Sequence, residues 1–218
     1  MKLFNSTLNL FIVVMIITTT VFTGCKKDDD NPSTPGNDTG TFTDSRDGHV
    51  YNWVKIGGQV WMAENLAYKP PQGSGYLAYD NDENNVPVYG YLYTWELAQT
   101  IAPAGWHLPS EQEWRTLVDN LGGEDAAYNK LLEKGTTHWG SPNDATNESG
   151  FTALPGGYYD LRSNEFRAMG FLAEFHSSDE YPGDNTACMG LSLNQNFKDA
   201  SVEGWPKALS VSVRCVKD

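Results

Sequence analysis

Alternating apolar positions predict a β-hairpin early in the folded part of the chain. Val50 to Ile56 and Gln59 to Met62 are rich in β-branched and aromatic residues, and Gly57-Gly58 separates the two runs. Both glycines can adopt the positive φ angles that a two-residue hairpin turn requires. Residues 69–87 are rich in proline, glycine, asparagine and aspartate, which predicts a long loop.

A capping box marks the start of the main predicted helix. The Ser110 hydroxyl and the Glu113 carboxylate stand three positions apart, and each can accept from the other's backbone amide. Gly122-Gly123 predicts where this helix ends. Shorter helices are predicted over 94–101 and 125–134. The apolar stripe of the main helix, at helical spacing, consists of Trp114, Leu117, Val118 and Leu121.

After Gly150 the hydrophobic pattern changes to a period of two with frequent turns, which predicts antiparallel strands. Tyr89, Tyr91 and Tyr93 alternate in the same way earlier in the chain. A hairpin, two to three helices, a twisted antiparallel sheet and long loops together predict the α+β fold class. The strands expected after Gly150 cover 151–154, 166–175, 187–193 and 208–216.

The first 25 residues have the pattern of a processing signal. Lys2 precedes an apolar run over 8–17, and Gly24-Cys25 closes the segment. This ending resembles the lipobox of bacterial lipoproteins, which implies a signal peptide over 1–24 and acylation of Cys25 with diacylglycerol and a fatty acid such as palmitate. An uncleaved transmembrane anchor is the alternative, but threonines interrupt the run before it reaches the ~20 apolar residues of a membrane span.

Residues 25–40 are charged and then turn-rich, which predicts a flexible acidic tether before a domain over 41–218. The start of the tether, Lys26 to Asp30, resembles the export signal of Bacteroidetes surface lipoproteins. That resemblance implies a lipid-anchored protein of the outer membrane, exposed at the cell surface. A plain solvated linker is the alternative.

The chain is strongly acidic, with 28 acidic and 15 basic residues and a formal net charge of −13. Removal of residues 1–24 takes away Lys2 and no acid, which leaves −14. Such a surface repels phosphate backbones and anionic lipid, so nucleic acid is not an expected partner. Membrane attachment is expected through the N-terminal lipid instead.

Four ordered motifs connect the chain to a known family. They begin at Gln59, Gly105, Asn147 and Ser212, and read QVWMAENL, GWHLPSEQEW, NESGFTALPGG and SVRCV. Together they resemble the Fibrobacter succinogenes major paralogous domain, which is in turn similar to C-type lectin-like folds and to the sulfatase-modifying domain that generates formylglycine. The resemblance implies a compact C-type lectin-like domain with neighbouring termini and long loops, and it implies no activity. His176 departs from the family pattern, which commonly has tryptophan there.

Three cysteines are present, and acylation of Cys25 would leave Cys188 and Cys215. Both lie on predicted strands in an oxidising compartment, so a disulfide between them and two free buried thiols are both open. A catalytic thiol requires an activating base, and the sequence around Cys188 supplies none.

Hard oxygen ligands of the kind that calcium uses stand together at Asp144, Asn147 and Glu148. A turn stabilised by hydrogen bonds from these side chains to the backbone is the alternative. The four histidines are isolated in the sequence and do not have the spacing of a transition-metal site. Calcium is therefore the one cofactor that the sequence leaves open.

Several aromatic side chains are candidates for a surface on which sugar rings stack; the alternative is that they cap the core. The candidates are Trp139, Tyr158, Tyr159, His176 and Trp205.

These observations predict a surface-displayed lipoprotein with a non-catalytic binding or adhesion domain for an extracellular polysaccharide or protein. An extracellular enzyme that hydrolyses or modifies glycans is the first alternative, because distant carboxylates can meet in a fold. A purely structural envelope protein is the second.

Overall fold

The computed structural model describes residues 38–218, which belong to one compact unit, Gly36–Asp218. The predicted signal segment, Cys25 and the tether up to residue 37 lie outside the described residues. Among the described residues, no helix is long and apolar enough to cross a membrane.

The described part is mostly strand, in several antiparallel sheets, with a few short helices. The α+β expectation is confirmed at this level of mixed content. The strands are β1 (Thr39–Thr43), β2 (Val50–Ile56), β3 (Gln59–Met62), β4 (Tyr76–Leu77), β5 (Leu92–Tyr93), β6 (Trp106–His107), β7 (Tyr158–Asp160), β8 (Glu165–Arg167), β9 (Leu172–Tyr181), β10 (Asp184–Asn194), β11 (Asp199–Pro206), β12 (Leu209–Ser210) and β13 (Val216–Lys217). The helices are α1 (Val86–Tyr89), α2 (Trp95–Ala98), α3 (Glu111–Asn120) and α4 (Glu124–Leu131).

A five-stranded sheet holds both ends of the described chain, in the order β1-β2-β3-β13-β6. The predicted hairpin is present as β2 and β3, and Gly57 in its turn has a φ of 59°. Strand β1 was not predicted, and it includes Thr39 and Gly40, which the sequence analysis had placed in the tether. Because the last strand, β13, pairs with β3, the two ends of the domain meet in one sheet.

Helix α3 begins with the predicted capping box, in which Ser110 and Glu113 satisfy each other's backbone amides. Trp114, Leu117 and Val118 of its apolar stripe are buried, whereas Leu121 follows the helix and is partly buried. The Trp114 ring stacks on Trp61 of β3 with ring centroids 4.5 Å apart. Helix α4 follows within three residues and packs against β11. The two helices therefore cover one face of the second sheet.

This second sheet has the order β11-β10-β9. Ala173 and Phe175 of β9 point into the main hydrophobic core with α3 and α4, whereas Glu174 and His176 alternate onto the opposite face. We call this opposite face the back face. Strand β11 was missed because its glycine, proline and acidic residues obscure the period-two pattern.

Three other predicted strands are different in the structure. The strand expected over 166–175 divides into β8 and the first part of β9, with a turn between them. Residues 151–154 form a single bridge, Ala153 to Leu132, and no strand. Residues 208–216 divide into β12 and β13, and the segment between them pairs through isolated bridges at Val211 and Ser212. In residues 151–154 and 208–216 the apolar pattern reflects burial of the side chains rather than one regular strand.

The predicted loop over 69–87 folds through short turns onto the tyrosines of β5 and its neighbours. Glu83 organises this region, since it accepts from Lys69 Nζ at 2.6 Å and from the Tyr91 hydroxyl. These two bonds attach the loop to Tyr91, a residue of the buried aromatic cluster around β5.

Candidate functional site

A polar groove opens where β3 ends and the chain continues as Ala63-Glu64-Asn65. It consists of two hollows, of about 580 and 220 Å³, which share Ala63, Glu64 and Thr152 in their walls. Strands β1 and β2 supply one side of the larger hollow, and the segments outside the strands supply the rest of the lining. We call it the Glu64 groove.

The Glu64 carboxylate is held at the centre of this groove and remains about one-third exposed. Its Oε1 accepts the backbone N–H of Asn52 at 3.0 Å and also the Asn52 side-chain amide. Its Oε2 lies 3.9 Å from His49 Nε2. One carboxylate oxygen is thus fixed by β2, and the other is available to accept a hydrogen bond from a ligand.

A tryptophan of β2 also contributes to the lining. Trp53 of β2 is half-buried and lines the larger hollow, directly across the strand pair from Gly40 of β1. A Cβ at position 40 would lie 2.6 Å from the indole, so only glycine lets the edge strand pack against this ring. Thr39 and Thr41 of the same strand add hydroxyl groups to the wall.

A fully buried guanidinium lies behind the groove. Arg214 Nε donates to Asn65 Oδ1 at 2.9 Å, and its two terminal nitrogens donate to the backbone carbonyls of Phe151 and Thr152. Desolvation lowers the pKa of Arg214 to about 9, while the negative charge of Glu64 opposes that shift. Arg214 is therefore still a cation at neutral pH, and it fixes two residues of the groove lining, Asn65 and Thr152.

The predicted aromatic surface is not present, which is a correction to the sequence analysis. Trp139, Tyr159, His176 and Trp205 are all buried, and only Tyr158 keeps intermediate exposure. Trp139 donates its Nε1–H to the Ala153 carbonyl inside the main core. Trp205 lies in β11 rather than in a loop, so these aromatics cap and fill the core.

The three candidate calcium ligands have other partners. Asn147 is a turn residue with a φ of 53°, and both ends of its amide bond to Thr152. Glu148 lies 3.1 Å from Lys130, and the exposed Asp144 lies 3.6 Å from Lys198. No group of three or more histidine, cysteine or acidic side chains in residues 38–218 is arranged to hold a metal. The contacts are those of the turn alternative.

Cys188 and Cys215 are two free, buried thiols, so the disulfide alternative is not realised. They belong to different hydrophobic clusters. Burial raises the pKa of each thiol to about 12, which keeps both protonated and unreactive at neutral pH. His176 Nδ1 lies 3.9 Å from Cys188 Sγ, and desolvation lowers the pKa of this histidine to about 4. This buried pair therefore lacks both thiolate and solvent access.

The sequence analysis missed the residues of the Glu64 groove as a site, although it quoted Glu64, Asn65 and Arg214 within family motifs. Their shared role depends on contacts between residues about 149 positions apart. A usable signal was the acid and the amide directly after a buried strand, a position where polar side chains are not needed for packing.

Comparisons with known proteins give one match. The family model of the Fibrobacter succinogenes major domain matches residues 54–217, which include Glu64, Thr152 and Arg214 but not Asn52 or Trp53 of the groove lining. No curated protein and no solved structure shows significant similarity to the chain.

Proposed function

The chain belongs to the Fibrobacter succinogenes major domain family, and from that premise we propose that it is a non-catalytic binding module for a neutral polysaccharide. The ligand lies along the Glu64 groove. The observation that carries this proposal is a groove whose lining combines a carboxylate held by Asn52, neutral hydrogen-bonding side chains and a tryptophan.

Each part of the groove suits a sugar ring. The apolar face of a pyranose packs on the Trp53 indole, as apolar ligand surfaces pack on aromatic side chains. Glu64 Oε2 accepts from sugar hydroxyls, and Asn52 and Thr41 supply further polar groups. Because Glu64 Oε1 is already bonded to Asn52, the carboxylate is held in place before the ligand arrives, which lowers the cost of binding.

Charge favours a neutral glycan over an acidic one. The chain has 28 acidic and 15 basic residues, and Glu64 itself occupies the centre of the groove. Carboxylated or sulfated sugars would meet this charge at short range, whereas hydroxyl groups donate to it.

The composition of the lining supports binding rather than hydrolysis. Most glycosidases use two carboxyl groups, about 5 to 10 Å apart, on either side of the bond that is cleaved. Glu64 is the one acidic side chain among the described residues that line the two hollows. A second carboxylate for the enzymatic alternative is therefore not available from these walls.

The location and the finer fold are parts of the same proposal. We propose acylation at Cys25 and display on the outer face of the outer membrane. Mass spectrometry of the detergent-extracted protein tests the acylation, and protease treatment of intact cells tests the display. An unmodified N-terminus that begins at Met1 would contradict the acylation. We also propose a C-type lectin-like arrangement, supported by the meeting of both chain ends in one sheet, and an experimental structure tests it.

The test of binding uses the detergent-purified full chain on an array of neutral and acidic polysaccharides. Calorimetry with the best neutral ligand then compares Glu64→Gln and Trp53→Ala with the matched control Glu96→Gln, which changes an acid in a different groove. We expect at least a tenfold loss of affinity for the first two and no change for the control. Release of new reducing ends would favour the enzyme, and absence of any glycan ligand would favour the structural role.

A further inference from the structure

A second, chemically different groove runs between α3 and β11. Its larger part, of about 510 Å³, is lined by Glu111 and Arg115 of α3 and by Met189, Val202 and Glu203 of the second sheet. A smaller hollow of about 200 Å³ shares Arg115 and Val202 with it and continues past α3. We call the two together the α3 trough.

One end of the trough has a built aromatic platform. Tyr181 at the end of β9 lies against Gly204 of β11, and any Cβ at position 204 would overlap the tyrosine ring. The side chain nevertheless stays 45% exposed. The Tyr181 ring therefore occupies the space that a side chain at position 204 would take, and part of the ring remains exposed to the trough.

The charges around the trough are unbalanced. Its lining contains four carboxylates and a single base, Arg115. This base is already occupied, because Arg115 Nε donates to Glu111 Oε1 at 2.8 Å. The trough thus offers negative charge above a floor of Met189, Val202 and Val118. The four carboxylates are those of Glu111, Asp119, Glu124 and Glu203.

The lining of the trough differs from that of the Glu64 groove. Within the described residues, no asparagine, glutamine, serine or threonine lines the trough, whereas the Glu64 groove has several such side chains. Neutral side chains of this kind orient sugar hydroxyls, so the trough lacks the groups that recognise a neutral glycan. An apolar floor with an acidic rim is complementary to a segment that has both apolar and basic side chains.

We propose that the α3 trough docks a basic, extended segment of a partner protein. Alternate apolar side chains of the segment lie on Met189 and Val202. Its lysine or arginine side chains pair with Glu203 and Asp119, and one of them packs over the Tyr181 ring. The inference is independent of the polysaccharide site, because the two grooves share no lining residue.

The test measures fluorescence anisotropy of two labelled peptides with the full chain. One peptide alternates lysine with leucine, and the other alternates glutamate with leucine. We expect saturable binding of the lysine peptide that weakens as salt is raised, and no binding of the glutamate peptide. Equal binding of both peptides, or binding that does not depend on salt, would overturn the proposal.

Variants locate the binding. Gly204→Ala should displace Tyr181 and weaken the lysine peptide at least tenfold, and Tyr181→Ala should do the same without adding volume to the sheet. Paired Glu203→Gln and Asp119→Asn should also weaken it. The matched control is Glu165→Gln, an exposed acid on β8 with a salt-bridge partner of its own. Loss of binding in the control, or full binding in Tyr181→Ala, would show that the peptide binds elsewhere and would refute the trough.

Discussion

Two buried ionisable side chains, Arg214 and Glu174, lie in regions that differ in hydrogen bonding. Behind the Glu64 groove, Arg214 donates to three oxygens and packs its guanidinium over the Phe151 ring at 4.3 Å. On the back face, Glu174 is also buried, although less completely, and its Oε2 has no hydrogen-bond partner. Burial raises the pKa of Glu174 to about 8, with a smaller contribution from the charge of Glu203.

The two groups differ in the number of hydrogen bonds that they make inside the protein. A buried cation stays charged when carbonyl oxygens surround it, and it then orders the segments that supply those oxygens. A buried carboxyl group without donors takes up a proton instead and contributes mainly volume. We therefore expect substitution of Arg214 to be strongly destabilising and replacement of Glu174 by a neutral side chain of similar size to be tolerated.

The largest expected effect is at Arg214. Arg214→Met leaves the oxygens of Asn65, Phe151 and Thr152 without their donor, and each such loss costs about 1–3 kcal/mol. We expect the free energy of unfolding, measured by urea denaturation, to fall by about 3 kcal/mol or more. Arg115→Met is the control, because it removes a mostly exposed pair with Glu111 and should cost less than about 1 kcal/mol. Similar losses in both variants would remove the basis of the comparison.

A smaller but still large effect is expected at Gly190, where the back face is closed. A Cβ at this position would overlap the Trp205 ring and the Phe175 carbonyl. Overpacking of this kind typically costs about 1–3 kcal/mol, so Gly190→Ala should lower the thermal midpoint by several degrees. Gly58→Ala, which meets no atom within 4 Å, should leave the midpoint nearly unchanged. An unchanged midpoint for Gly190→Ala would mean that the back face is loosely packed.

The pH dependence of stability sharpens the comparison further. Because the folded pKa of Glu174 is about 8 against 4.5 in its ordinary state, the unfolded chain releases this proton first. Its contribution to stability is therefore full below pH 4.5 and is lost as the pH rises towards 8. His176, with a folded pKa of about 4 against 6.5, acts in the opposite direction and loses stability as the pH falls from 6.5 to 4.

The pH dependences of stability that come from Glu174 and His176 have opposite signs up to pH 6.5, and only that of Glu174 continues to pH 8. Over this upper interval we expect Glu174 to account for a loss of about 2 kcal/mol, at ~1.4 kcal/mol per pH unit. The free energies of unfolding of the wild type and of Glu174→Gln are measured by urea denaturation across this range. Their difference gives the contribution of Glu174. A parallel profile for the two proteins would show that Glu174 does not hold its proton.

The smallest expected effect concerns a half-exposed histidine that contacts the last residue, Asp218. His107 contacts Glu113 at 2.9 Å and Asp218 at 2.7 Å, and although desolvation acts to lower its pKa, these two carboxylates raise it overall. Its stabilisation is therefore present below pH 6.5 and declines as the pH rises above that value. Because solvent screens the pair, His107→Asn should cost under about 1 kcal/mol at pH 6, and less at pH 9. An equal cost at both values would assign the effect to packing.

The sequence predicted those parts of the fold that depend on neighbouring residues. The turn at Gly57 and the capping box at Ser110 are local signals, because glycine conformations and amide caps involve only a few adjacent positions. Strands β1 and β11 were missed although each pairs with its neighbour along the chain, because glycine, proline or acidic residues interrupt their own alternating pattern and only pairing with the partner compensates for it.

The candidate site was harder to predict for the same reason. Trp205 was expected in a loop from its neighbours Gly204 and Pro206, yet these residues belong to an edge strand that packs its tryptophan inward. Glu64 and Arg214 stood in quoted motifs, but their roles arise only when β3 meets the segment before β13. A motif locates such residues without showing which of them faces solvent.

The two buried thiols can be used to detect local opening of the fold. An alkylating reagent reacts only with an exposed thiolate, and neither Cys188 nor Cys215 offers one in the closed fold. Labelling at each position therefore waits for the surrounding cluster to open. Cys188 lies under Trp205, and Cys215 lies beside Met62. Their labelling rates therefore measure separately how often the back face and the five-stranded sheet open.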